Sequence, residues 1–291
     1  MTNLKNFFDK LEIIKPPSDI FYHNKISNSN INSVNKYLLI GYNIIETKKE
    51  AIMSKFYNEI AGIYSKLFPL SEKKLEFLIE SAKKSGGIDV LDVACGDGQE
   101  GKALVDRGYN VVGLDMEPSM IEEAIENGLD AEVRDMLKID ELRGNYDFIY
   151  SVGNSIPHLD NMNQVITFLE KAYDKLKNNG VLVIQNINFN LFWKDDAAEG
   201  EHLGDLPTIK GDDHTFVREY YRRGSKIGFK TLINYKDKHY INEVELLPID
   251  PYKLADTMIK IGYTDIELFG NFSKAPMGEG TAAIIRGKKV R

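Results

Sequence analysis

From about residue 51 onward, short apolar runs alternate with longer amphipathic runs along the chain. Short apolar runs predict buried strands, and apolar residues spaced three and four positions apart predict helices that pack on a sheet. Regular alternation of the two patterns is typical of parallel strands joined by crossover helices. The sequence therefore predicts an α/β fold with a doubly wound, mostly parallel, Rossmann-like sheet of seven strands.

The same pattern places the individual helices and strands. Helices are expected over residues 71–84, 99–107, 118–127, 163–177 and 251–261. Strands of the main sheet are expected over residues 88–93, 111–115, 131–133, 148–152, 181–187, 266–269 and 282–286. The sequence Asn-Asn-Gly at residues 178–180 predicts a turn between the fourth of these helices and the strand that follows it.

Residues 215–223, 227–234 and 240–247 follow a different pattern, in which polar and apolar side chains alternate. Such alternation is typical of antiparallel strands with one exposed face. We therefore expect an antiparallel β-meander, inserted into the main fold at about residues 189–248.

The first 50 residues carry eight Asn and differ in composition from the rest of the chain. Residues 26–35 lack the periodicity of a helix or a strand, which predicts a partly ordered extension over residues 1–50. We interpret it as a linker or accessory helix beside the main domain, residues 51–291. The alternative is an arm that contacts a partner.

Charge and cysteine content exclude several classes of function. The 37 basic and 44 acidic residues give a net charge of −7, so no nucleic-acid partner is expected. Neither a signal-peptide pattern nor a membrane-spanning apolar run is found, so we expect a cytoplasmic protein. Cys95 is the sole cysteine and the five histidines lack metal-ligand spacing, so no disulfide or metal site is expected. We therefore expect a small-molecule partner. The oligomeric state is left open between a monomer and a homo-oligomer.

Glycines follow the strand predicted at residues 88–93. Gly96, Gly98 and Gly101 satisfy the G-x-G-x-x-G pattern, and Asp115 follows Gly96 by 19 residues, where a ribose-binding acid is expected. Glycines let the backbone approach a ligand closely. The loop therefore predicts a nucleotide site but leaves open which cofactor it binds, a nicotinamide dinucleotide being one alternative.

Two further acids bear on the identity of that cofactor. Asp92 lies inside an apolar strand, where a buried carboxylate needs partners. Those partners are either the amides of the turn or the cationic end of a ligand. Asp135 follows the third strand, so Asp92, Asp115 and Asp135 are expected at the carboxyl edges of three successive strands, where ligands of open α/β sheets bind. Three acids in series favour a ligand with a cationic end and an adenine amine.

Over roughly residues 56–287, the chain resembles the class I S-adenosylmethionine-dependent methyltransferases. The resemblance rests on residues 90–98, 114–116 and 135–136. It implies S-adenosyl-L-methionine as cofactor and S-adenosyl-L-homocysteine as product. The implied contacts are Asp92, Gly96 and Gly98 to the methionine part, Asp115 to the ribose, Met116 and Met136 to the adenine faces, Asp135 to the adenine amine, and Ala94 and Val152 as further cofactor contacts.

A second resemblance concerns the acceptor. Residues 150–159 are similar to the Gly-Asn-Ser-x-x-His-Leu stretch of glycine and sarcosine N-methyltransferases, and residues 240–248 are similar to the tail of those enzymes. Sugar-amine methyltransferases share this architecture. The resemblance implies methyl transfer to a small-molecule acceptor, in the first place at an amine nitrogen. A protein or RNA acceptor, or a noncatalytic S-adenosylmethionine-binding module, are the alternatives.

Four residues are candidates for contact with the acceptor and the reacting methyl group. Residues 57–64 resemble a helix that lies over the cofactor, which implies that Tyr57 and Tyr64 lie near the methyl group. Asn154 and His158 follow the fourth strand, where acceptor and methyl group are expected to meet. The alternative for His158 is a cap on the following helix or a bond to a backbone carbonyl.

The inserted meander is expected to select the substrate, because the cofactor sheet does not require it. Arg218, Tyr220 and Arg222 alternate along one predicted strand and therefore share a face. A guanidinium there can hold the carboxylate of an amino-acid substrate through two parallel hydrogen bonds. The alternative is that this strand is a solvated edge strand whose arginines and tyrosines do not bind substrate. Asn186 and Tyr240 are further candidates for substrate binding.

Overall fold

The computed structural model describes Ile60 and residues 63–290. The predicted extension, residues 1–50, and the candidate Tyr57 lie outside the described residues. Within the described part of the chain, the strands form two separate sheets, one of seven strands and one of four.

The larger sheet is the predicted α/β sheet. The strands of both sheets, numbered in chain order, are β1 (Asp89–Val93), β2 (Asn110–Asp115), β3 (Asp130–Val133), β4 (Tyr146–Ser151), β5 (Leu176–Ile187), β6 (His202–Lys210), β7 (His214–Arg223), β8 (Lys226–Tyr235), β9 (Lys238–Leu246), β10 (Thr264–Phe269) and β11 (Ala282–Lys288). The larger sheet has the order β10-β11-β5-β4-β1-β2-β3, and β11 runs antiparallel to both of its neighbours. The seven-stranded, mostly parallel sheet is thus confirmed.

Helices cover both faces of this sheet. They are α1 (Tyr64–Leu67), α2 (Glu72–Ser85), α3 (Gln99–Val105), α4 (Pro118–Glu126), α5 (Met162–Lys175) and α6 (Pro251–Ile261), with short 3-10 helices at Met136–Glu141, Ile156–His158 and Phe189–Leu191. Helices α2, α3 and α4 contribute to one apolar layer, and α5 and α6 contribute to the other. Successive residues of β1 point into different layers, Val90 toward the first and Leu91 toward the second. This arrangement confirms the doubly wound fold.

No helix in the described residues combines the length and apolarity needed to cross a bilayer.

The boundary between α5 and β5 differs from the prediction. α5 ends at Lys175 and β5 follows directly, so residues 178–180 lie inside a strand instead of a turn. Asn179 has a φ of 66°, and the pairing of β4 with β5 shifts register at this point. Between the pairs Tyr146–Leu176 and Phe148–Val181, β4 advances by two residues and β5 by five. The turn-forming residues therefore produce an irregularity within the strand, because the extra residues interrupt the ladder without ending it.

The smaller sheet has the order β6-β7-β8-β9 and is antiparallel throughout. It confirms the predicted meander but corrects the number of strands, since β6 was not predicted. Gly204 and Pro207 interrupt the alternating pattern of β6, and its pairing with β7 shifts register twice. Pro207 is tolerated because β6 is an edge strand, where one side of the backbone needs no ladder partner.

Two backbone hydrogen bonds fix the ends of this insertion to the larger sheet. The Asn188 amide, just after β5, donates to the Thr281 carbonyl at 2.8 Å. The Leu247 amide, just after β9, donates to the Pro157 carbonyl at 2.8 Å. Asn188 and Pro157 follow the carboxyl ends of β5 and β4, so the insertion is attached at the carboxyl edge of the larger sheet.

Candidate functional site

β1 lies between β2 and β4, and the chain passes from β1 to β2 and β3 before it returns to β4 on the other side. The strand order therefore reverses beside β1. In open α/β sheets, a crevice forms at such a reversal, outside the carboxyl ends of the strands, and ligands bind there. The candidate cofactor residues end or follow strands β1 to β4 and so lie along this edge, which we call the cofactor edge.

The loop after β1 has a left-handed backbone at three positions. The φ angle is 60° at Ala94, 55° at Gly96 and 78° at Gly98. At Gly98 a side chain is excluded for a second reason, because a Cβ would lie 3.0 Å from Ala124 Cβ and 3.0 Å from Leu129 Cδ2. Gly98 also precedes the first residue of α3, so this tight loop leads directly into the helix.

Asp115, the last residue of β2, fastens the glycine loop. Its Oδ2 accepts the Gly96 amide at 3.0 Å, and its Oδ1 accepts the Glu117 amide at 3.0 Å. Burial raises the pKa of Asp115, while these two amides act in the opposite direction. The carboxylate thus joins the strand end to the loop, at the position expected for ribose contact. The contact with ribose itself stays a prediction.

Asp135 precedes the 3-10 helix Met136–Glu141, which the sequence pattern did not predict. Its Oδ1 accepts the Leu137 amide at 2.8 Å, so the carboxylate caps this short helix. Met136 is half-buried, and Met116 after β2 is 43% exposed. Two partly exposed methionines beside a fixed carboxylate suit an adenine ring, and the adenine contacts of all three residues stay predictions.

Asp92 and Tyr150 face each other where the strand order reverses. They are paired in register on β1 and β4, and the Tyr150 hydroxyl donates to Asp92 Oδ2 at 2.7 Å. Both side chains are fully buried. Burial raises the pKa of Asp92 well above its usual range, and the hydrogen bond from Tyr150 opposes that rise. The carboxyl group is therefore held by a neighbouring strand.

Tyr150 is a site residue that sequence reasoning missed. The partners considered for Asp92 were the turn amides and the cationic end of a ligand, and the hydroxyl of Tyr150 is a third. A tyrosine in a largely buried strand was the signal. The tyrosine can be recognised as a partner of Asp92 only when β4 is known to lie beside β1. Contact of Asp92 with a ligand stays a prediction.

The loop after β4 is tied to the end of β5. The Gly153 amide donates to Gln185 Oε1 at 2.8 Å, and Asn154 Oδ1 accepts the Ile187 amide at 2.8 Å. Asn154 has a φ of 72°, which asparagine tolerates better than most residues because its short polar side chain can bond locally. Val152 is buried in the apolar layer below. Asn154 is thus held at the cofactor edge, and its contact with the acceptor stays a prediction.

His158 ends the 3-10 helix Ile156–His158 and is half-buried. Its amide donates to the Ser155 carbonyl at 3.1 Å. Helix α5 begins at Met162 and is capped by Asn161, whose side chain accepts two amides of its first turn. The alternative in which His158 caps the following helix is therefore wrong. Its position beyond β4 leaves the acceptor role as a prediction.

α1 places Tyr64 against the glycine loop. A Cβ on Gly96 would lie 3.4 Å from Tyr64 Cε1, so the ring covers this glycine. The Tyr64 ring packs on Phe68 with centroids 4.8 Å apart, and Phe68 packs on Phe216 of β7 at 5.4 Å. α1 therefore connects the cofactor edge to the smaller sheet.

Phe216, Arg218 and Tyr220 alternate on one face of β7, which we call the inner face because Phe216 packs with α1 there. The Tyr220 ring is fully buried and lies 4.7 Å from the ring of Phe192. The Arg218 guanidinium lies 5.1 Å from the Phe216 ring, and its Nη2 donates to the Pro207 carbonyl at 2.6 Å. β7 is an internal strand between β6 and β8, so the solvated-edge alternative is wrong.

The other substrate candidates occupy different positions. Arg222 shares the inner face, but its guanidinium stacks on Trp193 at 3.8 Å and Nη1 donates to the Lys194 carbonyl. Tyr240 lies on the inner face in the same cross-strand row as Phe216. Asn186 is buried near the carboxyl end of β5. Tyr240 and Asn186 therefore stay substrate candidates, whereas the guanidinium of Arg222 is engaged within the fold.

Cys95 lies inside the glycine loop and is buried. Burial, with the charges of Asp92 and Asp115, raises the pKa of its thiol, which makes it a poor nucleophile. Among residues 63–290, no group of three or more His, Cys, Asp or Glu side chains could hold a metal ion.

The site therefore has two parts with different chemistry. The cofactor edge presents carboxylates and methionines that suit a nucleoside with polar ends. The inner face presents aromatic rings, a guanidinium and a hydroxyl. Tyr64 lies between the two, since its ring covers Gly96 and contacts Phe68, which packs on Phe216.

Comparison with known proteins identifies related sequences. Residues 90–180 match a family model described as a methyltransferase domain. The glycine/sarcosine N-methyltransferase of Halorhodospira halochloris is 31% identical over 204 residues, covering 68% of this chain and 73% of that protein. The glycine/sarcosine N-methyltransferase of Parasynechococcus marenigrum is 26% identical over 214 residues, covering 70% and 73%.

A solved structure shares the fold. The S-adenosylmethionine-dependent methyltransferase from Clostridium acetobutylicum superposes with a TM-score of 0.64 at 18% identity, covering 80% of this chain and 98% of that one. At this identity the likeness concerns the fold. Its extent shows that the arrangement of the described sheets and helices is one that methyltransferases adopt.

Proposed function

The chain belongs to the class I S-adenosylmethionine-dependent methyltransferases, and from this premise we propose that it methylates an amine nitrogen of a small molecule. S-adenosyl-L-methionine is the cofactor, which excludes the nicotinamide alternative left open by the glycine pattern. The acceptor is glycine- or sarcosine-like, or an amino sugar. Residues 150–159, with their resemblance to N-methyltransferases, and the two N-methyltransferase relatives support nitrogen as the methylated atom.

The position of Tyr64 is the observation that carries the proposal of a small acceptor. Its ring covers Gly96 on one side and reaches the inner face through Phe68 and Phe216. α1 and the insertion thus approach each other over the cofactor edge. Side chains of α1 and the insertion border the region proposed for the acceptor, which suits a small molecule better than a protein or an RNA.

When bound, S-adenosylmethionine supplies an electrophilic methyl group on a sulfonium. Asp115 and Asp135 are suited to hold its ribose and adenine, because both carboxylates are already fixed by backbone amides. Gly96 and Gly98 allow the backbone to approach its methionine part. These residues would hold the cofactor along the edge, and Tyr64 lies against the same glycine loop.

Methyl transfer to nitrogen is an in-line displacement that needs a neutral amine held against the methyl group. The chain's task is to position the amine, exclude water and disfavour its ammonium form. Apolar surroundings lower the pKa of a buried amine, and aromatic rings line this region. Asn154, whose Oδ1 is fixed to the Ile187 amide, and Tyr64 are the residues expected to position the amine.

A turnover assay tests the proposal. The full chain is incubated with S-adenosylmethionine and a panel of glycine, sarcosine, ethanolamine and glucosamine, and release of S-adenosylhomocysteine and the methylated product are measured. We expect one of these amines to gain a methyl group on nitrogen, with tight binding of S-adenosylhomocysteine. Cofactor binding without turnover of any amine would instead support a noncatalytic module, and an oxygen- or carbon-methylated product would refute nitrogen transfer.

A further inference from the structure

The inner face of the smaller sheet contains two neighbouring polar atoms that are buried without a hydrogen-bond partner among the described residues. They are Nε of Arg218 and Oη of Tyr220. Tyr220 is 0% exposed, and burial raises the pKa of its hydroxyl, which therefore stays protonated. Buried polar groups are normally hydrogen-bonded, because an unpaired one costs free energy. Two such atoms together indicate a ligand.

The sheet register places Arg218 in a polar row between two apolar rows. Arg218 lies opposite Thr231 on β8, which in turn lies opposite Asn242 on β9. The row on one side contains Phe216, Ile233 and Tyr240, and the row on the other contains Tyr220, Phe229 and Val244. The guanidinium is thus the one cationic group along these three rows of β7, β8 and β9.

The guanidinium is oriented but not neutralised. Its Nη2 donates to the Pro207 carbonyl, and the Phe216 ring lies beside it. In the described part of the chain, no carboxylate pairs with Arg218, and the group that acts on its charge is Tyr220. Burial lowers the pKa of Arg218, yet a guanidinium remains charged in proteins. A half-buried cation without a counter-ion favours an anionic ligand.

A carboxylate fits this position better than a phosphate. One guanidinium N–H and one phenolic O–H offer two donors to two oxygens of a planar monoanion. The surrounding rows are apolar, so the second charge of a phosphate would remain uncompensated. Contact from Phe216 through Phe68 to Tyr64 connects this position to the glycine loop, which sets the direction in which the rest of the ligand must extend.

We propose that Arg218 and Tyr220 form a carboxylate-binding subsite for the methyl acceptor, with Arg218 Nε–H and the Tyr220 hydroxyl as donors. This inference rests on the proposed function and deepens it. The acceptor is an amino-acid-like compound whose amine extends from the inner face toward Tyr64. An amino sugar without a carboxylate is then a poor substrate.

Matched acceptor pairs test the subsite. Glycine is compared with methylamine, alanine with ethylamine, and phenylalanine with 2-phenylethylamine, since each pair differs only by the carboxylate. In the wild type, kcat/KM is expected to be about 100-fold higher for the carboxylate-bearing member of an accepted pair, the range of a hydrogen-bonded charge.

Variants locate the effect. Arg218→Met is expected to raise KM for the amino acid by about 30-fold or more and to reduce the preference within a pair to near unity. Tyr220→Phe should raise KM about fivefold with little change in kcat. Tyr221→Phe is the matched control, because it removes a hydroxyl from the next residue of β7, which bonds Glu219 on the opposite face. S-adenosylhomocysteine affinity and cooperative unfolding establish that each variant is folded.

A binding measurement makes the test independent of turnover. Acetate and benzoate are titrated into protein saturated with S-adenosylhomocysteine, and the wild type should bind at least one of them while Arg218→Met does not. Carboxylate binding without turnover of any amine would refute the proposed function and retain the subsite. Turnover of amines with no preference for a carboxylate, or equal effects of Tyr220→Phe and Tyr221→Phe, would refute the subsite and retain the function. Failure of both carboxylates to bind would also refute the subsite.

Discussion

Three carboxylates of the cofactor edge and two polar groups of the inner face differ in whether they have hydrogen-bond partners within the fold. At the cofactor edge, Asp115 accepts two backbone amides, Asp135 accepts one, and Asp92 accepts the Tyr150 hydroxyl. On the inner face, Arg218 Nε and Tyr220 Oη have no partner among the described residues. Since an unpaired buried polar group costs free energy, these three carboxylates are satisfied within the fold, whereas the two polar groups of the inner face are satisfied by the proposed carboxylate ligand.

This difference in hydrogen bonding distinguishes polar residues that stabilise the fold from polar residues that are available to bind a ligand. A carboxylate at the cofactor edge is expected to contribute to both folding and binding, because it accepts hydrogen bonds within the fold in the absence of a ligand. On the inner face, the proposed role of Arg218 Nε and the Tyr220 hydroxyl is in binding, because neither atom has a partner among the described residues. Removal of a hydrogen-bond partner at the cofactor edge, as in Tyr150→Phe, should therefore lower stability, whereas removal of the unpaired Tyr220 hydroxyl should not. The four predictions below concern groups of both regions.

The largest effect is expected for Asp115→Ala. The change removes the acceptor of the Gly96 amide and the predicted ribose contact, so affinity for S-adenosylhomocysteine should fall about 100-fold, as for a lost hydrogen-bonded charge. Isothermal titration measures it. Asp106→Ala, at an exposed ion pair of α3, and Arg218→Met on the inner face are controls that should keep wild-type affinity. An unchanged affinity in Asp115→Ala would remove the ribose assignment.

Tyr150→Phe should lower the free energy of unfolding by about 1–3 kcal/mol, because it leaves the buried Asp92 carboxyl without its donor. Urea denaturation followed by circular dichroism measures the change. A free energy equal to that of the wild type would mean that Asp92 obtains another donor in solution, and the contrast between the two regions would weaken.

Asp92→Asn should stabilise the protein, increasingly so as the pH rises. Burial raises the pKa of Asp92, so the folded state retains a proton that the unfolded chain has released, and stability is lost from about pH 4 upward. The amide removes this loss while its oxygen still accepts the Tyr150 hydroxyl. At about pH 4, wild type and Asp92→Asn should have nearly equal thermal unfolding midpoints. At pH 8, the midpoint of the variant should be about 3 °C higher, since a stability difference of ~1 kcal/mol corresponds to a shift of that size. A difference in midpoint that does not change between pH 4 and pH 8 would contradict a raised pKa for Asp92.

The smallest effect is expected for Tyr220→Phe. The substitution removes a buried hydroxyl without a partner and keeps the ring, so the free energy of unfolding should stay equal or rise by up to about 1 kcal/mol. Urea denaturation beside Tyr150→Phe gives the direct comparison, because both tyrosines are fully buried. Destabilisation of similar size in the two variants would show that Tyr220 already has a partner in the folded protein.

Much of the fold was predictable because strand and helix periodicity is local information. The glycine loop and the three acids could be located for the same reason, since each acid lies in or just after a predicted strand. The features that were missed depend on tertiary pairing. The Asp92–Tyr150 bond requires the order of β1 and β4, and β6 requires its edge position beside β7. The bulge at Asn179 requires the register of β4 and β5.

The inner face was predicted in part. Alternation along β7 correctly placed Arg218 and Tyr220 on one side of the strand. Their burial could not be read from that alternation, because a strand with three arginines and two tyrosines in nine residues also suits an exposed surface. Burial arises from Phe192 after β5 and from α1, which packs on Phe216, and both Phe192 and α1 lie far from β7 in sequence.

The attachment of the insertion has a consequence for how such a chain can change over time. Main-chain bonds, Asn188 to Thr281 and Leu247 to Pro157, hold its two ends, and these bonds do not depend on side-chain identity. The segment between them can therefore drift, lengthen or be exchanged for the corresponding segment of a relative while the sheet beneath it persists. Because the proposed acceptor subsite lies within this segment, a graft of residues 189–246 tests whether acceptor preference moves with it from one such enzyme to another.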